Sequence, residues 1–362
     1  MGHVLVSPLN WGLGHATRNI PVIRELLHFG HEVVVAATGN ALLTLRREFP
    51  DCRFIDAPDY PAPYDPGNLM LARVLTKLPE MLKALAAERR CIRKIVAKDR
   101  YDLIISDSRP GMYSDTVPSV FMTHQVHYHL PFAIWPVELL GLGANRVLFD
   151  KYRRVIVPDN PPGPTALAGK LSHPICASSY PHLYFTGILA TARRIDLPQD
   201  LDYLFIISGP EPQRTIFERI MLPQLHELPG IKAVLLGSPG GQGTRSPDPQ
   251  TMVASYASTE EKIALLNRAK FIVCRSGYTT MMELAEIGKK HALFVPTPGQ
   301  TEQEYLSNYY RKQGWFFSQA QDRLDLPRDI AAAAGYTGFP DMPKTAGNAR
   351  RLYEEVLSAY VE

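Results

Sequence analysis

Phe271-Ile-Val-Cys-Arg-Ser-Gly-Tyr-Thr-Thr-Met-Met-Glu-Leu-Ala-Glu-Ile-Gly288 reads as a buried strand, a Ser-Gly turn and a helix that starts near Thr279. A helix entered this way points unpaired backbone N–H groups, and the positive end of its dipole, at whatever lies over the turn. Ser276 and Gly277 let a phosphate approach closely, and Thr279 and Thr280 add hydroxyl donors. Glu283 lies one turn inside the helix and faces the same mouth. A carboxylate there suits a ribose diol rather than a phosphate. Diphosphate at the helix start with ribose beside it describes a bound nucleotide-sugar. The competing reading is an ordinary strand–turn–helix of an α/β domain, with a glycine for tight packing.

A second half-site stands at the other end of the chain. His3 to Pro8 form a short apolar strand, Asn10-Trp-Gly-Leu-Gly-His15 follows, and an apolar helical pattern runs from Ala16 to Phe29. Gly12 and Gly14 allow a tight turn and close backbone approach. This is not the dinucleotide fingerprint, because Thr17 stands where a third glycine would fall and His15 interrupts the spacing. A histidine at a helix start has its pKa lowered by the dipole and stays neutral, a potential base. A capping or packing histidine is the alternative.

Gly12-Leu-Gly-His15, then Ser208-Gly209 after a mid-chain strand, then Arg275-Ser-Gly277 with Glu283, resemble the GT-B glycosyltransferases. The closest match is the family-28 group that contains the UDP-GlcNAc transferase of peptidoglycan synthesis. Val295-Pro-Thr-Pro-Gly-Gln-Thr-Glu-Gln-Glu-Tyr-Leu-Ser-Asn308 is similar to the family's Pro … Asp-x-Gln-Gln … Asn-Ala stretch, in which a Gln contacts donor-sugar hydroxyls. The resemblance gives that place to Gln303. Gln300 lies beside it, Glu304 stands where the family has its second Gln, and Asn308 falls one residue late. The family's donor-phosphate Arg follows Gly-Asn-Pro-Val. Here Gly187-Ile-Leu-Ala-Thr-Ala-Arg193-Arg194 has a different spacing, so Arg193 does not inherit that role.

At 362 residues the chain is long enough for two ordinary domains. It is 45% hydrophobic and 21% charged, a soluble globular composition. A net charge of +3 is too mild to imply nucleic acid. Cys52, Cys91, Cys176 and Cys274 are widely spaced with no Cys-x-x-Cys, which suggests reduced thiols in a cytosolic protein rather than zinc or a disulfide framework. The chain enters a core strand at once, leaving no signal peptide, and no apolar stretch is long enough to span a bilayer.

Short Val/Ile-rich runs, as expected of parallel strands covered on both faces, alternate with helical patterns twice over. The first half offers strands at His3–Leu9, Glu32–Thr38, Arg53–Ala57, Leu103–Asp107, Ser119–His124, Arg154–Pro158 and Leu183–Thr186. The second offers Tyr203–Ser208, Lys232–Gly237, Met252–Tyr256, Phe271–Arg275, Ala292–Pro296 and Trp315–Ser318. The expected architecture is GT-B: two doubly wound Rossmann-like domains, 1–190 on the acceptor side and 200–342 holding the donor, facing a central cleft. The helix in 343–362 packs back on the first domain in the resembling family.

Between Arg73 and Arg100 there are nine Lys or Arg against three Asp or Glu. Met70, Leu71, Val74, Leu75, Leu78, Met81, Leu82 and Leu85 recur beside them at helical spacing, and Pro79 kinks or divides the segment. Such a helix suits an anionic membrane surface, or it is a solvated face with its apolar stripe in the core. His124-Gln-Val-His-Tyr-His129 follows a strand without a Cys or carboxylate to complete a metal site, and His124 and Gln125 are candidates to line the acceptor side. Asp107 ends the preceding strand and is placed to orient His15 or take its proton, or to make an Asx-turn, with Asp115 a weaker competitor. Gly237-Ser-Pro-Gly-Gly-Gln-Gly-Thr-Arg245 lacks the Lys-Ser/Thr of a P-loop and reads as a surface loop.

These residues make an inverting, metal-independent transfer from a nucleotide-sugar, UDP-linked by resemblance, to an acceptor hydroxyl the leading expectation. No cofactor is called for beyond that co-substrate, and no Asp-x-Asp pair for a divalent ion stands in a suitable place. The resemblance implies an acceptor on a lipid or cell-envelope precursor and a protein at the cytoplasmic face of the membrane. A nucleotide-sugar hydrolase or 2-epimerase, and a non-catalytic nucleotide-sugar binding protein, are the alternatives.

Overall fold

The computed structural model describes residues 1–61, 70–127, 143, 145–173, 182–237, 246 and 248–361, and of 70–78 the helical backbone only. Most of the Gly-rich run after Gly237, His129 and Cys176 lie outside the described residues. The strands are β1 (His3–Pro8), β2 (Glu32–Ala37), β3 (Arg53–Asp56), β4 (Leu103–Asp107), β5 (Ser119–Met122), β6 (Arg154–Val157) and β7 (Leu183–Phe185). A second set comprises β8 (Leu201–Ile206), β9 (Lys232–Leu235), β10 (Thr251–Ala254), β11 (Ala269–Cys274), β12 (Ala292–Phe294) and β13 (Phe317–Ser318).

They form a seven-stranded sheet ordered β3-β2-β1-β4-β5-β6-β7 and a six-stranded sheet ordered β10-β9-β8-β11-β12-β13. Every pairing is parallel. Helices on both faces leave β1, β2 and β4 almost wholly buried, which is why their sequences are continuous Val, Leu and Ile. In each sheet the order reverses once, between β1 and β4 and between β8 and β11. That is where a doubly wound sheet opens a crevice at its carboxyl edge.

The described residues divide into two compact units, one of 1–61, 70–191 and 343–361, the other of 192–342. The helical segment Thr345–Val361 brings Leu352, Tyr353, Val356 and Leu357 into one core with Val4, Val6, Ile20 and Ile23. Tyr353 stacks on Phe29 at 3.8 Å and its hydroxyl lies 2.7 Å from His31 Nε2.

Two strands start two residues earlier than their apolar runs suggest. β8 begins at Leu201 and β11 at Ala269, because Asp202 and Lys270 enter the sheet as a pair, Nζ to Oδ1 at 2.8 Å, where the strands emerge from the core. The basic segment is one helix, Met70–Lys98, with Pro79 inside it. From Glu88 on, its inner face is core, with Ile92 and Ile95 buried, whereas Met81 and Leu82 are 37% and 56% exposed.

Candidate active site

In the first unit, β1 leads through Gly12 into the helix Leu13–His28. Gly12 has φ +83°, a left-handed conformation that only glycine adopts cheaply, and it turns the chain so that His15 sits in the first turn. β4 delivers Asp107 to the same edge, fully buried. His15 Nδ1 lies 3.0 Å from Asp107 Oδ1. The carboxylate thus reaches across to the helix instead of closing an Asx-turn. Asp115 is not part of this group: it is 80% exposed and pairs with Arg89.

Two further side chains complete the group, and the sequence reading passed over both. Arg18 Nε donates to Asp107 Oδ2 at 2.8 Å and its Nη2 to Oδ1. Asn19 Nδ2 donates to Oδ2 at 2.6 Å and to the His15 carbonyl at 2.7 Å. His15, Arg18 and Asn19 are spaced i, i+3, i+4, one face of a helix, and that spacing was the available signal. Arg18 Nη1 donates to Nδ1 of His124, just beyond β5, at 2.9 Å. Ser108, at φ +56°, turns its hydroxyl to Arg18 Nη2 at 3.1 Å. Gln125 follows, its N–H held by Thr123 Oγ1 at 3.1 Å.

The electrostatics follow from these contacts. Burial pulls the His15 pKa below the usual histidine value, the Arg18 charge pulls it further, and Asp107 opposes both. The helix dipole is not needed to explain it. Burial alone would push Asp107 up, but Arg18 and then His15 override it, holding the carboxyl well below the usual range. A neutral imidazole against a permanently ionised carboxylate is the state in which a histidine accepts a proton.

A buried ion pair pins this edge from beneath. Arg109, after Ser108, is fully buried and donates through Nε to Glu88 Oε1 at 2.6 Å, while Tyr60 OH donates to Oε2 at 2.6 Å. Burial raises the Glu88 pKa against the pull of Arg109.

In the second unit β11 ends at Cys274 and the helix Tyr278–Ile287 starts with Gly277 as its N-cap, without a side-chain cap. Gly277 has φ −71°, and a Cβ there would meet nothing nearer than Gln303 Nε2 at 4.0 Å. Neither backbone strain nor tight packing demands this glycine. Thr279 and Thr280 are half-buried in the first turn. Gly209, beyond β8, has φ +117°.

Several residues read as donor contacts have internal partners instead. Arg275 is buried, its Nε donating to the Ser208 carbonyl at 3.3 Å and its Nη1 to those of Val295 and Pro296, each at 3.1 Å. Its Nη2 reaches Gln213 O and Gln321 Oε1, and the guanidinium lies 4.1 Å from the Phe217 ring centre. Burial lowers its pKa to about 10. Arg275 therefore braces the ends of the central strands and has no fork left for a phosphate. The Ser276 hydroxyl donates to the Gln303 carbonyl at 2.9 Å and accepts from Ser307 at 2.8 Å, so it too is held by internal partners.

Glu283 is buried, and both carboxylate oxygens take Lys262 Nζ, at 2.8 and 2.7 Å. Any ribose contact is shared with that ammonium. Gln303 accepts the Thr297 N–H at 2.9 Å and donates to Gln300 Oε1, while Glu304 accepts the Gly299 N–H at 2.9 Å. These side chains shape the loop before the helix Thr301–Lys312. Arg193 forms a surface pair with Glu260.

No family model matches the chain. A curated relative from Methanosarcina acetivorans, named as an uncharacterized glycosyltransferase, is 21% identical over 96% of this chain and 96% of its own. Among solved structures, a glycotransferase of kitacinnamycin is similar at TM-score 0.65 and 15% identity, covering 100% of this chain and 99% of its own. MurG of Acinetobacter baumannii is similar at TM-score 0.55 and 14% identity, over 99% of each chain. The curated relative gives the class, a glycosyltransferase. The solved structures give the fold, GT-B, with its two Rossmann-like sheets.

Proposed function

We propose that the enzyme moves a sugar from a nucleotide-sugar to an acceptor hydroxyl with inversion, that its donor is UDP-linked, and that it needs no divalent metal. His15 takes the acceptor proton, oriented through Nδ1 by Asp107. The acceptor oxygen attacks the anomeric carbon as the bond to the diphosphate breaks. The helix start at Ser276–Thr280 stabilises the departing negative charge. Glu283, together with Lys262, takes the ribose hydroxyls, and Gln303 the sugar. Ser208 and Gly209 edge the diphosphate, and His124 and Gln125 edge the acceptor.

The observation that supports this reading best is His15 held 3.0 Å from the buried Asp107 at the point where the first sheet reverses, where burial lowers the histidine's pKa. For the acceptor, we propose a lipid-linked hydroxyl presented at an anionic membrane surface. The exposed Met81 and Leu82 beside the basic turns of the helix Met70–Lys98 support it. Among the described residues no helix is long and apolar enough to cross a membrane.

A panel of nucleotide-sugars, followed for both nucleotide release and sugar fate, tests the proposal. Release that depends on an added acceptor supports transfer. Release to free sugar without acceptor identifies a hydrolase, sugar isomerisation an epimerase, and binding without turnover a non-catalytic protein.

A further inference from the structure

We infer that Arg18 is a positioning residue for the base: it offsets the charge of Asp107, so that the carboxylate orients His15 through Nδ1–H without holding a second proton on the ring. The inference rests on His15 being the base.

The geometry sets up a conflict at one atom. His15 Nδ1 lies 3.0 Å from Asp107 Oδ1 and 2.8 Å from Arg18 Nη2. A neutral imidazole nitrogen cannot both donate to the carboxylate and accept from the guanidinium. If it accepts from Arg18, the ring proton sits on Nε2 and no basic nitrogen remains. If it donates to Asp107, Nε2 is bare and basic.

Arg18's other partners decide the matter. Nη2 carries two hydrogens, and Asp107 Oδ1 and Ser108 Oγ take them. Nε is taken by Asp107 Oδ2, and Nη1 reaches His124. Both Nη2 hydrogens therefore have acceptors without His15, whereas Nδ1–H has Asp107. The base tautomer therefore satisfies more partners.

The charge balance points the same way. A buried carboxylate touching a histidine raises its pKa and so favours the protonated ring, which cannot act as a base. Here the groups facing His15 are Arg18 on its own helix, Asp107 from the end of β4 and His124 from beyond β5. Arg18 lies against both Asp107 oxygens, so the carboxylate keeps its orienting hydrogen bond while its field at the ring is offset. Orientation and protonation, usually coupled in such a pair, are separated by one residue.

The test is the pH profile of kcat/KM for wild type, Arg18→Met, Arg18→Lys and His15→Ala, together with ¹⁵N NMR of the His15 ring in the wild type. The wild type should lose activity only below about pH 6.5, the ordinary histidine value. Arg18→Met should move that acid limb up by about one unit or more, a tenfold loss on its acid side. Arg18→Lys, which keeps the charge, should move it less. The ring should titrate below the ordinary value, with Nδ1 protonated and Nε2 bare in its neutral form. An unmoved limb in folded Arg18→Met, or a neutral ring with its proton on Nε2, overturns the inference. The NMR result needs no variant to fold. A limb that persists in His15→Ala overturns instead the reading of His15 as the base.

Discussion

The two sheets share one strand order up to the sixth strand and reverse at the same place, yet they bring opposite chemistry to that point. At the edge of β4 the first unit presents a carboxylate, Asp107, reached by a histidine and an arginine from the helix after β1. Just past the end of β11 the second unit has an arginine, Arg275, turned inward onto backbone carbonyls, with a glycine-started helix after it. One edge concentrates ionisable groups whose proton affinities are set by neighbours. The other hides its charge and offers backbone N–H groups. Topology fixes where a ligand meets each sheet, and the residues at the reversal determine what can happen there.

The sharpest way to break this contrast is at His15. His15→Ala should lower turnover by about 100- to 10,000-fold, the usual worth of a general base. Steady-state kinetics with saturating donor would show it, and near-wild-type turnover would remove His15 from the mechanism.

The contrast extends to the surface, where the first unit carries the basic helix. Arg90, Arg93 and Lys94 are exposed, whereas Arg89 is held by the Tyr113 ring and Asp115. Reversing the three exposed residues to Glu should weaken binding to anionic vesicles on the order of 100-fold at low salt, at about 1 kcal/mol per basic residue. Vesicle co-sedimentation measures it. Wild-type protein that ignores such vesicles at low salt would reduce the helix to a solvated face and leave a lipid acceptor without its support.

The smallest effect is expected at Arg275, where the loss is of structure before chemistry. Arg275→Met leaves buried carbonyls bare, at about 1–3 kcal/mol for a single such acceptor. Arg275→Lys should not rescue it, because an ammonium lacks the planar fork that spans these carbonyls. Thermal unfolding reports this. A variant as stable as wild type that has lost donor binding would return Arg275 to the ligand.

The thirteen strands among the described residues could be located in the sequence, most plainly β1, β2 and β4, whose burial on both faces is written as apolar runs. The misplaced starts of β8 and β11 fell where Asp202 and Lys270 interrupt those runs, and their pairing joins strands 68 residues apart. The site was half legible. The pairing of His15 with Asp107 was legible because Asp107 ends a strand and His15 opens the helix just after the neighbouring one. Arg18 and Asn19 were missed because the reading stopped at the first helical turn. Arg275 and Ser276 were read as ligand groups from their place in a motif, but the direction of a side chain depends on carbonyls and hydroxyls from other strands and helices. Lys262 lies 21 residues before Glu283, a pairing that no local pattern reveals.

The division of labour between the two edges is tested most directly by calorimetric titration of UDP into wild type, His15→Ala and Glu283→Ala. A charged hydrogen-bond acceptor of ribose is worth about 1.5–3 kcal/mol, so Glu283→Ala should bind UDP about 10- to 150-fold more weakly. His15→Ala should bind it as wild type does, and pyrophosphate, which has no ribose, should not distinguish Glu283→Ala from wild type. UDP affinity unchanged in Glu283→Ala, or lost in His15→Ala, would contradict the account.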